Sequence, residues 1–200
     1  MGAIKQPAQA RSLRKQILTV LYDLYLFPQS DRGLASILKE RYPSVDIEKV
    51  KDCFTYLEKK GYVVTSGKSR EGGVLASVTA LGVDMAEGAI KDRGILPSDH
   101  ELAGLSAKKE IRRAILAFLR LYPDSFNGDD EIVAELRELG MGTVLIDQVR
   151  FHIWYLSEKK LVEMKTHQMR FDIVHFARIT ALGMDLLEGS VSDHGVSGNE

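Results

Sequence analysis

The stretch Thr79-Ala80-Leu81-Gly82-Val83-Asp84-Met85-Ala86-Glu87-Gly88 returns as Thr180-Ala181-Leu182-Gly183-Met184-Asp185-Leu186-Leu187-Glu188-Gly189, with seven of ten positions identical. Upstream, Tyr56-Leu57-Glu58-Lys59-Lys60-Gly61-Tyr62-Val63 pairs with Tyr155-Leu156-Ser157-Glu158-Lys159-Lys160-Leu161-Val162. Further upstream, Ile17-Leu18 and Leu21 pair with Ile115-Leu116 and Leu119. The offset drifts from 98 to 99 to 101, so the small insertions fall between elements. Order and spacing persist over about 80 residues, which identifies an internal duplication.

Each copy reads as the same series of elements. A helix over 12–26 carries Leu13, Ile17, Val20, Leu21 and Leu24 at helical spacing, and Pro28 stops it. A second helix over 33–41 ends before Pro43. A third, over 47–60, has Val50, Phe54 and Leu57 as its inner stripe, Asp46 as N-cap and Gly61 at its C-terminal end. A strand at 62–65, a polar glycine-rich tip at 66–73 and a strand at 74–79 form a hairpin. Thr79 then caps a helix over 80–91. The second copy predicts helices at 107–121, 129–139 and 144–160, strands at 161–166 and 172–179, and a helix at 181–191. The expected class is mainly α with small β-hairpins, that is α+β. The chain divides into a flexible N-terminus 1–10, a domain 11–93, a linker 94–105, a domain 106–192 and a flexible C-terminus 193–200.

This order resembles the winged helix-turn-helix superfamily, of the kind seen in ArsR- and MarR-like repressors. "YLEKKGYV" (Tyr56–Val63), a hairpin, then "TALG" (Thr79–Gly82) is similar to the ending common there. The closing motif also resembles a small winged-helix family encoded by Mu-like phages. The resemblance implies two tandem winged-helix domains and a phage- or prophage-associated transcriptional regulator that binds specific double-stranded DNA. Winged helices also serve as protein-binding modules, so the alternative is a non-enzymatic adaptor in a chromosome-organising or complex-assembly subunit.

If the third helices read DNA, their outward residues meet bases or phosphates. Those are Lys49, Lys51, Thr55, Tyr56 and Lys59 in the first copy, and Gln148 and Arg150 in the second, with Tyr155 and Lys159 on the same expected face. Asp52, Glu58, Asp147 and Glu158 lie on the same helices and would repel phosphates. The hairpins add Lys68 and Arg70, then Lys165, His167 and Arg170. Each first helix opens on basic residues, Arg11, Arg14 and Lys15, then Lys108, Lys109, Arg112 and Arg113; these serve phosphate contact or simple solubility. Phe151, Trp154 and Phe176 are read as exposed aromatics. They form a partner or dimerisation surface on the second copy, or pack against the first.

Net charge is −1, with +2 over residues 1–104 and −3 over 105–200. A nucleic-acid binder usually has a larger basic excess, so any contact is local. The five histidines lack metal-ligand spacing, and no phosphate loop is present. The expectation is no enzyme, no metal and no cofactor. Cys53, the one cysteine, is expected in the core and excludes an intrachain disulfide. With no membrane span or signal core, a cytoplasmic location in a prokaryote or virus is expected, as a homodimer or with a protein partner.

Overall fold

Thr79 and Thr180 do the same work in each repeat. The hydroxyl accepts from the N–H of Gly82 or Gly183 at 3.1 Å, capping the helix that follows. It also donates to the carbonyl of Gly61 or Lys160, at 2.6 and 2.7 Å, tying that helix to the end of the third helix. The glycine is required by a close approach. A Cβ on Gly82 would stand 2.0 Å from the Tyr62 carbonyl oxygen, and one on Gly183 would stand 2.3 Å from that of Leu161. The repeated Thr-Ala-Leu-Gly is therefore a packing motif.

The computed structural model describes residues 5–68, 72–96, 102–170 and 172–197. The chain is α+β and divides into two units, Met1–Leu102 and Ala103–Glu200. The first unit contains α1 (Lys5–Asp23), β1 (Gln29–Ser30), α2 (Asp31–Lys39), α3 (Ile47–Lys59), β2 (Val63–Lys68), β3 (Val74–Val78) and α4 (Ala80–Ala86). The second repeats that order with α5 (Leu102–Leu121), β4 (Asn127–Gly128), α6 (Asp129–Glu138), α7 (Ile146–Glu158), β5 (Val162–Gln168), β6 (Ile173–Ile179) and α8 (Ala181–Leu187). Each unit has a three-stranded antiparallel sheet, ordered β1-β3-β2 and β4-β6-β5. The hairpin registers run from Val63↔Val78 to Lys68↔Val74, with a bulge between Ser66 and Lys68, and from Val162↔Ile179 to Gln168↔Ile173. No helix among the described residues is long and apolar enough to cross a membrane.

The cores match position by position. Ile17, Leu21, Leu34, Val50 and Leu57 are buried, as are their counterparts Ile115, Leu119, Ile132, Val149 and Leu156. Cys53 is buried too, and burial pushes its thiol up to about 11, leaving it protonated and inert.

Several boundaries move. Helix α1 begins at Lys5, so part of the segment read as a flexible arm is helical. The two-residue strands β1 and β4, which pair with β3 and β6, are too short to show any period in sequence. The last helices stop at Ala86 and Leu187, four or five residues early. Gly88 and Gly189 adopt φ +78° and +80°, and the next residue's N–H bonds back to Asp84 or Asp185 at 2.8 and 2.9 Å. This closes the helix end with a left-handed residue that glycine adopts without strain.

The third helices end in the same way, but only the first has a glycine there. Gly61 has φ +74°, whereas its counterpart Lys160 has φ +63°, the one non-glycine residue with positive φ among those described. Leu161 N–H still bonds the Leu156 carbonyl at 3.0 Å. A left-handed side-chain residue costs about 1–2 kcal/mol. Lys160→Gly is expected to stabilise the second unit by about 1 kcal/mol in urea denaturation; destabilisation would show that the lysine side chain contributes more than the strain costs.

Candidate nucleic-acid interface

Helix α3 presents its outer side to solvent beside the β2–β3 hairpin. Asp46 caps it, accepting from Lys49 N–H at 2.9 Å, and that bond holds the Asp46 carboxyl below its usual range. Lys49 lies 3.5 Å from Asp46 and also donates to the Ser44 carbonyl. Lys51 donates to Glu48 at 2.8 Å, which raises its pKa. Thr55 and Lys59 are exposed. Glu58 is turned back to the hairpin, accepting from the Thr65 N–H at 3.1 Å and from its hydroxyl. The lysine pairs here are exposed i,i+3 contacts worth about 0–1 kcal/mol, so a phosphate can displace them.

Helix α7 is different. Arg150, whose side chain is 13% exposed, donates to Asp129 at 2.6 Å and through both terminal nitrogens to Asp172 at 2.9 and 2.7 Å. Asp147 adds a third carboxylate at 3.7 Å. The Asp172 bonds, with those of Asp129 behind them, raise the guanidinium pKa further and hold Asp172 below its usual range. The expectation that Arg150 reads a base is corrected: it bolts α7 to the start of α6 and to the second hairpin. Gln148 is exposed, and its Oε1 accepts from Leu145 N–H at 2.9 Å, a helix-capping role.

Tyr56 is also corrected. It is half-buried, with the Arg14 guanidinium 3.6 Å above its ring and its hydroxyl donating to Asp92 at 3.2 Å. Arg14 donates in turn to the Gly94 carbonyl at 3.1 Å. Asp92 further accepts from Tyr62, Lys60 and the Gly94 N–H. Burial opposes its charge, but the Gly94 N–H, Lys60 and Tyr62 bonds outweigh burial and hold the carboxyl at about 2. The second unit repeats this buckle. Arg112 lies 3.7 Å over the buried Tyr155 ring and donates to the Gly195 carbonyl at 2.9 Å. Lys159 pairs with Asp193 at 2.6 Å, and Gly195 N–H donates to Asp193 at 2.9 Å. Arg112 is 0% exposed, so it serves neither phosphate contact nor solubility. Its Nε donates to His152 Nδ1 at 3.2 Å; burial, then the Arg112 charge, holds His152 well below the usual histidine range, so that nitrogen stays free to accept.

Compared with known proteins, the chain matches no family model, no curated protein and no solved structure.

The buckle is what sequence reading missed. Asp92-Arg93-Gly94-Ile95 and Asp193-His194-Gly195-Val196 stand at the same offset of 101 as the closing motif, so the signal was present. Gly94 and Ile95 lie in the expected linker and Asp193–Val196 in the expected tail, yet Ile95 and Val196 are 2% and 0% exposed. Each unit extends through them.

Lys165 is exposed and its amine lies 4.0 Å above the Phe126 ring, with Arg178 at 4.7 Å. Arg170 is exposed beside the tip of the second hairpin. Lys68 ends β2, while its side chain and all of Arg70 lie outside the described residues. The aromatics are not exposed as expected. Phe151, Trp154 and Phe176 are all half-buried, with Phe151 and Trp154 rings 5.9 Å apart and Phe176 opposite Gly128 and Lys165 in the sheet.

Proposed function

We propose that the chain is a DNA-binding transcriptional regulator made of two winged helices, in which the first unit contacts DNA and the second does not. The order of helices and hairpin in each unit supports the winged-helix reading. The observation that carries the division is the fate of one repeated basic position. Lys51 in α3 bonds a surface glutamate and feels the buried Asp31 without bonding it, whereas its counterpart Arg150 bonds the matching buried aspartate, Asp129, directly. Lys51, Thr55 and Lys59 lie on the outer side of α3, a helix length suited to the major groove. The second unit, at −3 over 105–200 and with its arginine neutralised, suits a protein partner better than a phosphate backbone.

The test is fluorescence anisotropy with duplex DNA at several salt concentrations. Lys51→Ala with Lys59→Ala is expected to weaken binding on every duplex and to flatten the salt slope by about 1.8, two phosphates at about 0.9 each. Unchanged affinity in that double variant removes α3 from the interface. No binding by the wild type at low salt leaves the adaptor reading.

A further inference from the structure

We infer that the second unit self-associates, with helix α5 of one copy lying antiparallel on α5 of another. Along α5 runs a groove of about 380 Å³. Glu110, Arg113, Ala117 and Arg120 follow one another at helical spacing on this side, so they form one stripe, about 15 Å long at 1.5 Å per residue. Ala114 and Ala117 make a shallow floor, walled by Met141 and Leu187. Glu110, Arg113 and Arg120 are exposed and make no ion pair or hydrogen bond among the described residues.

The stripe is complementary to its own reverse. With a two-fold axis level with Ile115, Glu110 of each copy lies opposite Arg120 of the other, and Arg113 lies opposite Ala117. Two ion pairs form by one symmetry operation, and each Arg113 stem enters the space left by an alanine. A nucleic acid fits worse. Glu110 stands within the stripe and repels phosphate, and the apolar floor offers a phosphate no donor. The first unit lacks the device. Its counterparts are Ser12, Lys15, Thr19 and Tyr22, with no acid to match a cation, and the Tyr22 hydroxyl donates to Glu87 at 3.0 Å. Self-association therefore belongs to the second unit, and it does not depend on the DNA reading.

A single helix pair is smaller than a standard stable interface, so the dimer is weak and forms at about 100 μM. Sedimentation equilibrium of the full chain without DNA tests it. The wild type is expected to reach twice the monomer mass, while Glu110→Arg and Arg120→Glu each remain monomeric. Mixing the two single variants restores a dimer, because each supplies the charge the other lacks; the double reversal in one chain restores it as well. Ala117→Trp, an exposed change that blocks close approach, abolishes association without touching either charge. A wild type monomeric up to about 1 mM overturns the inference. So do single variants that dimerise like the wild type, a mixture that stays monomeric, or an Ala117→Trp protein that still dimerises.

Discussion

Gly82→Ala is expected to lower the stability of the first unit by about 3 kcal/mol or more, shifting its melting temperature by about 12 °C or more. The added Cβ would lie 2.0 Å from the Tyr62 carbonyl oxygen and 2.8 Å from Val78 Cγ2. Neither neighbour is free to yield. The Tyr62 carbonyl accepts from Thr79 N–H at 3.1 Å, and Val78 is buried opposite Val63 in the hairpin. Relief requires α4 to lift from the strand, which also breaks the Thr79 cap. The backbone of Gly82 lies outside the left-handed region, so the effect is steric. Gly104→Ala is the control: it lies within helix α5 and an added Cβ meets nothing, so its stability is held or improved. Thermal unfolding with hydrogen exchange assigns the loss to the first unit. A Gly82→Ala protein within 1 kcal/mol of wild type would show that α4 is not held as close as the structure places it.

Arg150→Ala is expected to cost the second unit about 3–5 kcal/mol. Asp129 is 1% exposed, and removing its arginine leaves a buried carboxylate with the His175 backbone N–H at 3.1 Å and the His175 Nδ1 at 3.6 Å. Asp172 also loses its hold on α7, and the hairpin tip loosens. Adding Asp129→Ala to Arg150→Ala is expected to recover part of the loss, because the uncompensated charge goes with it. Denaturation of the two single variants and the double variant measures this directly. Additive losses would mean that the two residues do not act as a pair. Under the proposed division of labour, the same Arg150→Ala protein keeps its DNA affinity while its second unit melts early. That outcome separates a structural arginine from a base-reading one.

Much of this molecule was legible in its sequence, for local reasons. The duplication, the α+β class, the inner stripes of the third helices and the caps at Asp46, Thr79 and Thr180 follow from periodicity and from side chains that bond their own neighbours. Gly88 and Gly189 were legible as stops in principle, since a left-handed residue after a helix favours glycine. What only the tertiary structure decided was the use of the charged residues. Lys51 and Arg150 occupy the same repeat position, yet one faces solvent and the other is locked between α6 and the hairpin. Both units place a buried aspartate at the start of the second helix, Asp31 and Asp129, and the difference lies in the Arg150 fork, which bonds Asp129 and Asp172 together, 21 and 22 residues away. In sequence Arg14 and Arg112 read as solvated cations at the start of a helix, but both lie within α1 and α5, and segments some 80 residues downstream carry the Gly94 and Gly195 carbonyls that receive them. A helical period says which side of a helix turns inward. It carries no information about which distant carboxylate, ring or carbonyl waits there, because that is set by how the elements pack.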